Sequence, residues 1–358
     1  MCSIITFSAN WTFHQYSGFS HTQKKPVHLL ILTSWRSGSS FLGQIFNHHP
    51  DVFYLFEPAR VVWVKIPNES AELLHYPIRD LLHSLFNCDV SPLHSYLPRN
   101  GRYISDLSYW SESRALCSPP ACTSAESTWS YDRPTCFQHC GYVPLEKMSE
   151  ACKLHSHVVF KVVRILDLKV LLPLFEDPTL DLRILHLVRD PRAVTFSRKN
   201  FNLLNHDDFI VNGGLEKNKK TSITEVMAKI CAAQVAINKV GASLHKRYMV
   251  IRHEDLAREP LYYVRKVYSF ADLNLFQEQE IWLNNVTKKN GQRQYGFMNF
   301  AGVSREIAQK WRLKLDQNTV LTVQDVCKEA MKVFGYKPVK SVTEQKDLSM
   351  DVVLKREA

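Results

Sequence analysis

The chain has 358 residues, 45% hydrophobic and 22% charged, a balance that excludes a disordered chain and allows a large core. A net charge of +10 favours anionic partners: phosphorylated cofactors, sulfated glycans, acidic membranes or nucleic acid. Nucleic acid drops out, because no Lys/Arg run exceeds three residues and no nucleic-acid motif is present; nor is any stretch apolar for long enough to span a bilayer.

Residues 1–26 are polar and irregular and end in His21-Thr22-Gln23-Lys24-Lys25-Pro26. They read as a stem or the remnant of a missing membrane anchor. The opening Met1–Phe7 lacks the basic n-region and the long apolar run of a signal peptide. Val27–Leu32 is a short apolar, β-branched run and reads as a buried strand. A polar turn containing Gly38 follows, and Ser39–Phe46 then carries apolar residues at helical spacing behind serines suited to a helix start. Val52–Leu55 reads as the next strand, with Glu57 just beyond it.

From about Asn68 to Cys152 the strand–helix alternation is lost. This stretch reads as an insertion or lid packed on the sheet, or as a separate disulfide-stapled subdomain. Strand-like runs return at Ser156–Val163, Leu182–Val188 and Tyr248–Arg252. The second runs into Asp190, a good N-cap, and Pro191, which suits a first helical position. The third leads to the amphipathic stretch Pro260–Ala271. The alternation predicts an α/β fold over residues 27–340, with a parallel sheet covered by helices on both faces and a cysteine-containing insertion. Residues 341–358 are set apart as a C-terminal tail.

Five of the nine cysteines, Cys117, Cys122, Cys136, Cys140 and Cys152, fall in one short stretch. Their spacing does not match paired C-x2-C zinc ligands. His139 and His155 keep zinc in view, but disulfides in an oxidising lumen fit the pattern better, and no metal site is expected. Sequons at Asn10, Asn68 and Asn285 agree with the secretory pathway as glycosylation sites.

Two segments carry chemistry. Thr33-Ser34-Trp35-Arg36-Ser37-Gly38-Ser39-Ser40 lies between a strand and a helix start, where unpaired amides and the helix dipole attract an anion. Gly38 permits a turn that a side chain would block, Arg36 offers a planar fork of donors, and Ser37, Ser39 and Ser40 add hydroxyls. A Walker A loop needs a first Gly and a Lys after the second; here position 33 is Thr and Ser39 follows Gly38, so an ATP-dependent kinase is disfavoured. The second segment, Arg189-Asp190-Pro191-Arg192-Ala193-Val194-Thr195-Phe196-Ser197, lies at another strand-to-helix switch. Arg189 and Ser197 can face one ligand there. Two anion sites at the carboxyl edge of one parallel sheet is where α/β folds hold nucleotides.

These segments, with His49-Pro50-Asp51, Glu57-Pro58, Ser113-Arg114-Ala115-Leu116-Cys117 and Glu254-Asp255-Leu256, resemble the sulfotransferase superfamily. More closely, the chain is similar to the Golgi N-acetylglucosamine-6-O-sulfotransferase branch of carbohydrate sulfotransferases, from about Val27 to Pro338. The resemblance implies a P-loop-like sulfotransferase fold and 3′-phosphoadenosine 5′-phosphosulfate as donor, without a metal. The implied acceptors are N-acetylglucosamine-containing glycans, in the Golgi lumen. Family members resemble type II membrane proteins, whose anchor is absent from this chain; a homo-oligomer is left open. Lys161-Val162-Val163-Arg164 departs from the usual Lys-Glu-Val-Arg, and Phe201–Thr221 also diverges. These departures bear on the acceptor, with galactose or N-acetylgalactosamine as alternatives, more than on the reaction.

The resemblance implies that Thr33–Ser40, Arg36 above all, hold the 5′-phosphosulfate, and that Arg189–Ser197 hold the 3′-phosphate. Glu57 is the candidate base, with an ion-paired structural carboxylate as the other reading; His48, His49, His186 and His253 are alternatives. Lys161 stabilises the sulfonyl oxygens or meets the acceptor together with Arg164, and Trp311 and Arg312 close over donor or sugar. A noncatalytic glycan-binding homologue is the competing class.

Overall fold

The structure, a computed structural model, describes residues 25–67, 69–98, 101–123, 133–201, 211, 222–287 and 305–355. The five expected strands are present: β1 Val27–Thr33, β2 Val52–Phe56, β3 His157–Val162, β4 Asp181–Val188 and β5 Tyr248–Arg252. They form one sheet in the order β2-β3-β1-β4-β5, and every neighbouring pair runs parallel. Each loop that follows a strand therefore leaves from the same edge.

Both faces of the sheet are dry. Leu30, Leu32, Phe53, Leu55, Val158, Phe160, Leu182 and Ile184 share one core; Leu29, Ile31, Val52, Tyr54, Phe56, Val159, Leu185 and Leu187 share the opposite one. The period of two sends alternate residues to opposite faces, so a strand covered twice is nearly continuous in apolar residues, buried His28, Lys161 and His186 being exceptions. Burying each such side chain contributes about 1.5–3 kcal/mol. Helix α1 (Ser39–Asn47) covers the second face. On the first face lie α2 (Ala71–Phe86) and the 88–152 insertion.

The insertion is mostly short turns, and disulfides replace regular structure there. Cys88–Cys152 closes its base, while Cys117–Cys136 and Cys122–Cys140 interlock within it. A fourth bond, Cys231–Cys327, joins α4 (Ile223–Ala242) to the C-terminal helices. Disulfides thus hold every cysteine among the described residues, which leaves no thiolate for the zinc alternative. Arg114 fastens the insertion to the sheet: its guanidinium donates to the carbonyls of Asn47 (3.1 Å), His49 (3.1 Å) and Pro50 (3.1 Å). No helix among the described residues is long and apolar enough to cross a membrane.

The segment set apart as a tail is docked. Val352 and Val353 are buried in a third core with Trp311, Phe334 and Tyr336, and Val353 bridges Tyr336. The C-terminal stretch therefore completes the domain through residue 355 wherever it is described.

Removing Cys231–Cys327 by Cys231→Ala and Cys327→Ala together should cost about 2–5 kcal/mol, since the bond closes a long loop (separation 96) in the unfolded chain. Thermal unfolding of the purified variant measures it; an unchanged midpoint would mean that packing alone holds the C-terminal helices.

Candidate functional site

The loop after β1 is fixed from both sides. The Thr33 hydroxyl donates to the Leu187 carbonyl of β4 at 2.7 Å, and the Ser34 and Ser37 hydroxyls lie 2.8 Å apart. Gly38 sits at φ +87° as the residue before α1, and a Cβ there would come within 2.2 Å of the His253 ring. Conformation and space both demand glycine. Arg36 also takes a left-handed backbone, φ +71°, a strain of about 1–3 kcal/mol of the kind that gathers at functional sites. The first turn of α1 has no acidic residue, so the positive end of its dipole stays available to an anion.

Cations converge on this loop. Arg36 Nε donates to Ser197 Oγ at 2.9 Å, and the Arg36 guanidinium lies 3.7 Å above the Phe201 ring. Arg189 donates to the Arg36 carbonyl at 3.1 Å; its buried Nε has no partner among the described residues. Arg198 donates to the Trp35 carbonyl (3.3 Å) and stacks on the Trp35 ring. Burial, then the charges of Arg189 and Arg198, push the Arg36 guanidinium down to about 10. Three crowded guanidiniums beside the start of α1 fit a ligand with several negative charges. Arg36, Arg189 and Ser197 are thus brought together as the sequence expects. Arg198 was missed, although it directly follows Ser197 in α3 (Pro191–Phe201).

The rest of the second segment is scaffold. Arg192, fully buried, forms an ion pair with Asp190 (2.7 Å), donates to Gln324 and to the Lys337 carbonyl, and stacks on Trp311. The Thr195 hydroxyl donates to the Pro191 carbonyl, and Ala193 and Val194 are core. The assignment of these side chains to the ligand is corrected accordingly. Trp311 and Arg312 are corrected too. Both are buried, and Arg312 donates to the carbonyls of Gln345 (2.9 Å), Met350 (2.9 Å), Glu344 (3.0 Å) and Asp347. Four carbonyls take four of its five N–H donors, and with no exposed surface it docks the C-terminal segment rather than closing over a sugar.

Across the same sheet edge lies a second charged group. Glu57 follows β2 at φ +52°. Its carboxylate accepts from Lys161 Nζ at 2.6 Å and from Arg164 Nη1, all three side chains being buried. Burial pushes the Glu57 carboxyl up, but the two cations override it and hold it at about 2. The ion-paired reading of Glu57 is therefore visible. An apolar cavity lined by Phe56, Glu57, Pro58, Tyr109, Trp110 and Met148 adjoins it.

Of the other histidines named, His48 bonds to the Gln44 carbonyl, His49 to that of Asn274, and His186 to Gln234 and Tyr248. They are satisfied structural residues. Asn285 is exposed on the helix Gln277–Thr287; Asn10 and Asn68 lie outside the described residues.

Behind Arg189 sits a buried acid that sequence reasoning did not single out. Glu254 accepts from the Asp190 amide (3.1 Å) and the Tyr336 hydroxyl (2.8 Å). Burial, then the charge of Asp190, raise its carboxyl to about 7 against the pull of Arg189. A carboxyl that holds its proton more tightly folded than unfolded favours the folded state at low pH. That contribution is lost as pH rises from the ordinary carboxylate range to about 7, a loss of about 3 kcal/mol. Glu254→Gln should remove this slope between about pH 5 and 7, measured as urea-unfolding midpoints across that range. Parallel slopes for variant and parent would sink the assignment.

Comparison with known proteins gives this geometry its context. Residues 26–335 match the model of the sulfotransferase domain family. The chain is 42% identical to human carbohydrate sulfotransferase 5, over 92% of this chain and 82% of that protein. It is 43% identical to human carbohydrate sulfotransferase 6, over 92% and 86%, and 40% identical to mouse carbohydrate sulfotransferase 4, over 98% and 92%. The matched span includes the loop after β1, α3 and all five strands, and the chain belongs to the carbohydrate sulfotransferase family.

Proposed function

We propose that this sulfonate-transfer enzyme uses 3′-phosphoadenosine 5′-phosphosulfate as donor and the 6-hydroxyl of N-acetylglucosamine in glycan chains as acceptor. The observation that carries the donor reading is the convergence of Arg36, Arg189 and Arg198 on the loop after β1. Arg36 and the amides of Ser37–Ser40 take the 5′-phosphosulfate; Arg189 and Ser197 take the 3′-phosphate. In the transfer, the bond from sulfur to the phosphate oxygen breaks and a bond from sulfur to the sugar oxygen forms. The hydroxyl proton goes to Glu57, and the electron pair of the broken bond leaves on the phosphate. Positioning and charge stabilisation dominate such a step.

Lys161 stands next to Glu57 and lies in β3 beside β1, which suits it to meet the sulfonyl oxygens. As Lys161 turns toward that group, Glu57 loses a cation and gains proton affinity. The relatives' names support a sugar acceptor; the 6-position of N-acetylglucosamine rests on the branch resemblance. The disulfides fit an oxidising compartment, read here as the Golgi lumen. A type II anchor would lie outside the described residues, and Asn285 is the described candidate for glycosylation.

Transfer of labelled sulfonate to N-acetylglucosamine-, galactose- and N-acetylgalactosamine-terminated oligosaccharides, with product mapping, tests the reading; no transfer to any acceptor would leave the noncatalytic alternative. Arg189→Ala and Ser197→Ala should each weaken 3′,5′-diphosphoadenosine binding by about 10- to 150-fold, the worth of a hydrogen bond to a charged group. Calorimetry giving parental affinity for both would remove the 3′-phosphate assignment.

Glu57→Gln should leave that binding in place and lower kcat by about 10²–10⁴-fold. A variant that keeps parental kcat but melts earlier would make Glu57 a structural ion-pair partner alone.

A further inference from the structure

We propose that His253 is a donor-site residue: its ring buttresses the phosphosulfate loop at Gly38, and a ring nitrogen hydrogen-bonds an anionic oxygen of the bound nucleotide. The inference rests on the donor reading above and adds a residue to it.

Position comes first. Val188 of β4 pairs with Arg252 of β5 in parallel register, so the next residues, Arg189 and His253, leave adjacent strand ends together. His253 therefore stands beside the arginine assigned to the 3′-phosphate. Its ring also lies directly against Gly38, close enough that a Cβ there would be 2.2 Å from Nδ1. One imidazole thus touches the glycine of the first anion segment and neighbours the arginine of the second.

Chemistry comes next. His253 is 3% exposed, and neither ring nitrogen has a partner among the described residues. The contrast with His48, His49 and His186, each bonded through its ring, sets it apart. Buried polar atoms without partners are costly and rare in folded proteins. Arg189 Nε, from the neighbouring strand end, shares the condition. Burial and the Arg189 charge keep the ring neutral, and a neutral imidazole has one N–H donor. An oxyanion seated on the loop accepts such a donor, and its negative charge offsets Arg189.

His253→Phe separates the two parts of the role, because phenyl keeps ring bulk against Gly38 and removes both nitrogens. The variant should fold with a melting temperature near the parent's and bind 3′,5′-diphosphoadenosine about tenfold or more weakly. A folded variant with parental affinity would overturn the proposal. A second readout holds even if that variant fails to fold. In 15N-histidine-labelled parent protein, one neutral histidine, assigned through His253→Asn, should show its ring-nitrogen resonances shifted by 3′,5′-diphosphoadenosine. Unshifted resonances at saturation would equally overturn it. Failure of the parent itself to bind the nucleotide would sink the donor reading, whereas parental binding unaffected by His253→Phe would sink only the role of His253.

Discussion

The site depends on one electrostatic constraint: Arg36 and Arg189 are held at the carboxyl edge of a parallel sheet on hydroxyl and carbonyl partners among the described residues. A buried charge must be paired or meet a ligand. Most of the buried arginines here are paired within the protein. Arg192 has Asp190 and Arg252 has Asp255. Around the loop after β1 the partners differ, because Arg36 bonds to the Ser197 hydroxyl and Arg189 to the carbonyls of Arg36 and Ile307. Polar partners solvate a guanidinium without neutralising it, so the local positive potential persists for an incoming anion.

The scaffold makes that imbalance sustainable. Thr33 ties β1 to β4 at the point where the loop begins, and the parallel register brings Arg189 up beside it. The Asp190–Arg192–Trp311 stack then fixes the start of α3, so Ser197 and Arg198 project toward the loop from a rigid helix. Rigid placement of donors before the ligand arrives is what gives electrostatic stabilisation its effect in a transfer reaction, since nothing need reorganise during the step.

Much of this was legible in the sequence, for physical reasons. Strands buried on two faces are mostly apolar, so β1 to β5 stand out in the sequence as short runs whose bounds lie within a residue or so of those observed. Gly38 and Arg36 mark the anion loop because the chemistry of the turn restricts residue choice. The misses share a cause. Arg192, Trp311 and Arg312 look like ligand-binding residues in a motif, yet their partners, Gln324, Lys337 and Gln345, come from distant parts of the chain. Sequence spacing carries no record of those contacts. Glu254 belongs to the same class, since its character comes from burial and from Asp190 and Tyr336; His253 was named only as an alternative base, and its unpartnered ring shows only in the fold. Disulfides in the 117–152 cluster were foreseen, but not their pairing, the partner Cys88 or the Cys231–Cys327 bond, since spacing alone leaves many connectivities open.

Glu57 and Glu254 show how far the surroundings outweigh residue type. Both are buried carboxylates following strands of the same sheet, and burial alone would raise both. Glu57 meets Lys161 and Arg164 directly and is held at about 2. Glu254 meets an amide and a phenol and lies near Asp190, with Arg189 too weak an influence to offset burial, and it rises to about 7. The consequences for folding are opposite in sign. Glu57 stabilises the fold once ionised, and that contribution is lost only as pH falls from the ordinary carboxylate range toward 2; the Glu254 contribution is lost as pH rises toward 7. A ligand that shifts Lys161 away from Glu57 moves its proton affinity upward, toward the acceptor hydroxyl it faces in the proposed reaction. A ligand anion drawn to Arg189 competes with Glu254 for the same cation and favours the protonated acid. In the proposed reaction, donor binding and the protonation of two separate carboxyls would be coupled through three basic side chains, Arg189 on one side and the Lys161–Arg164 pair on the other.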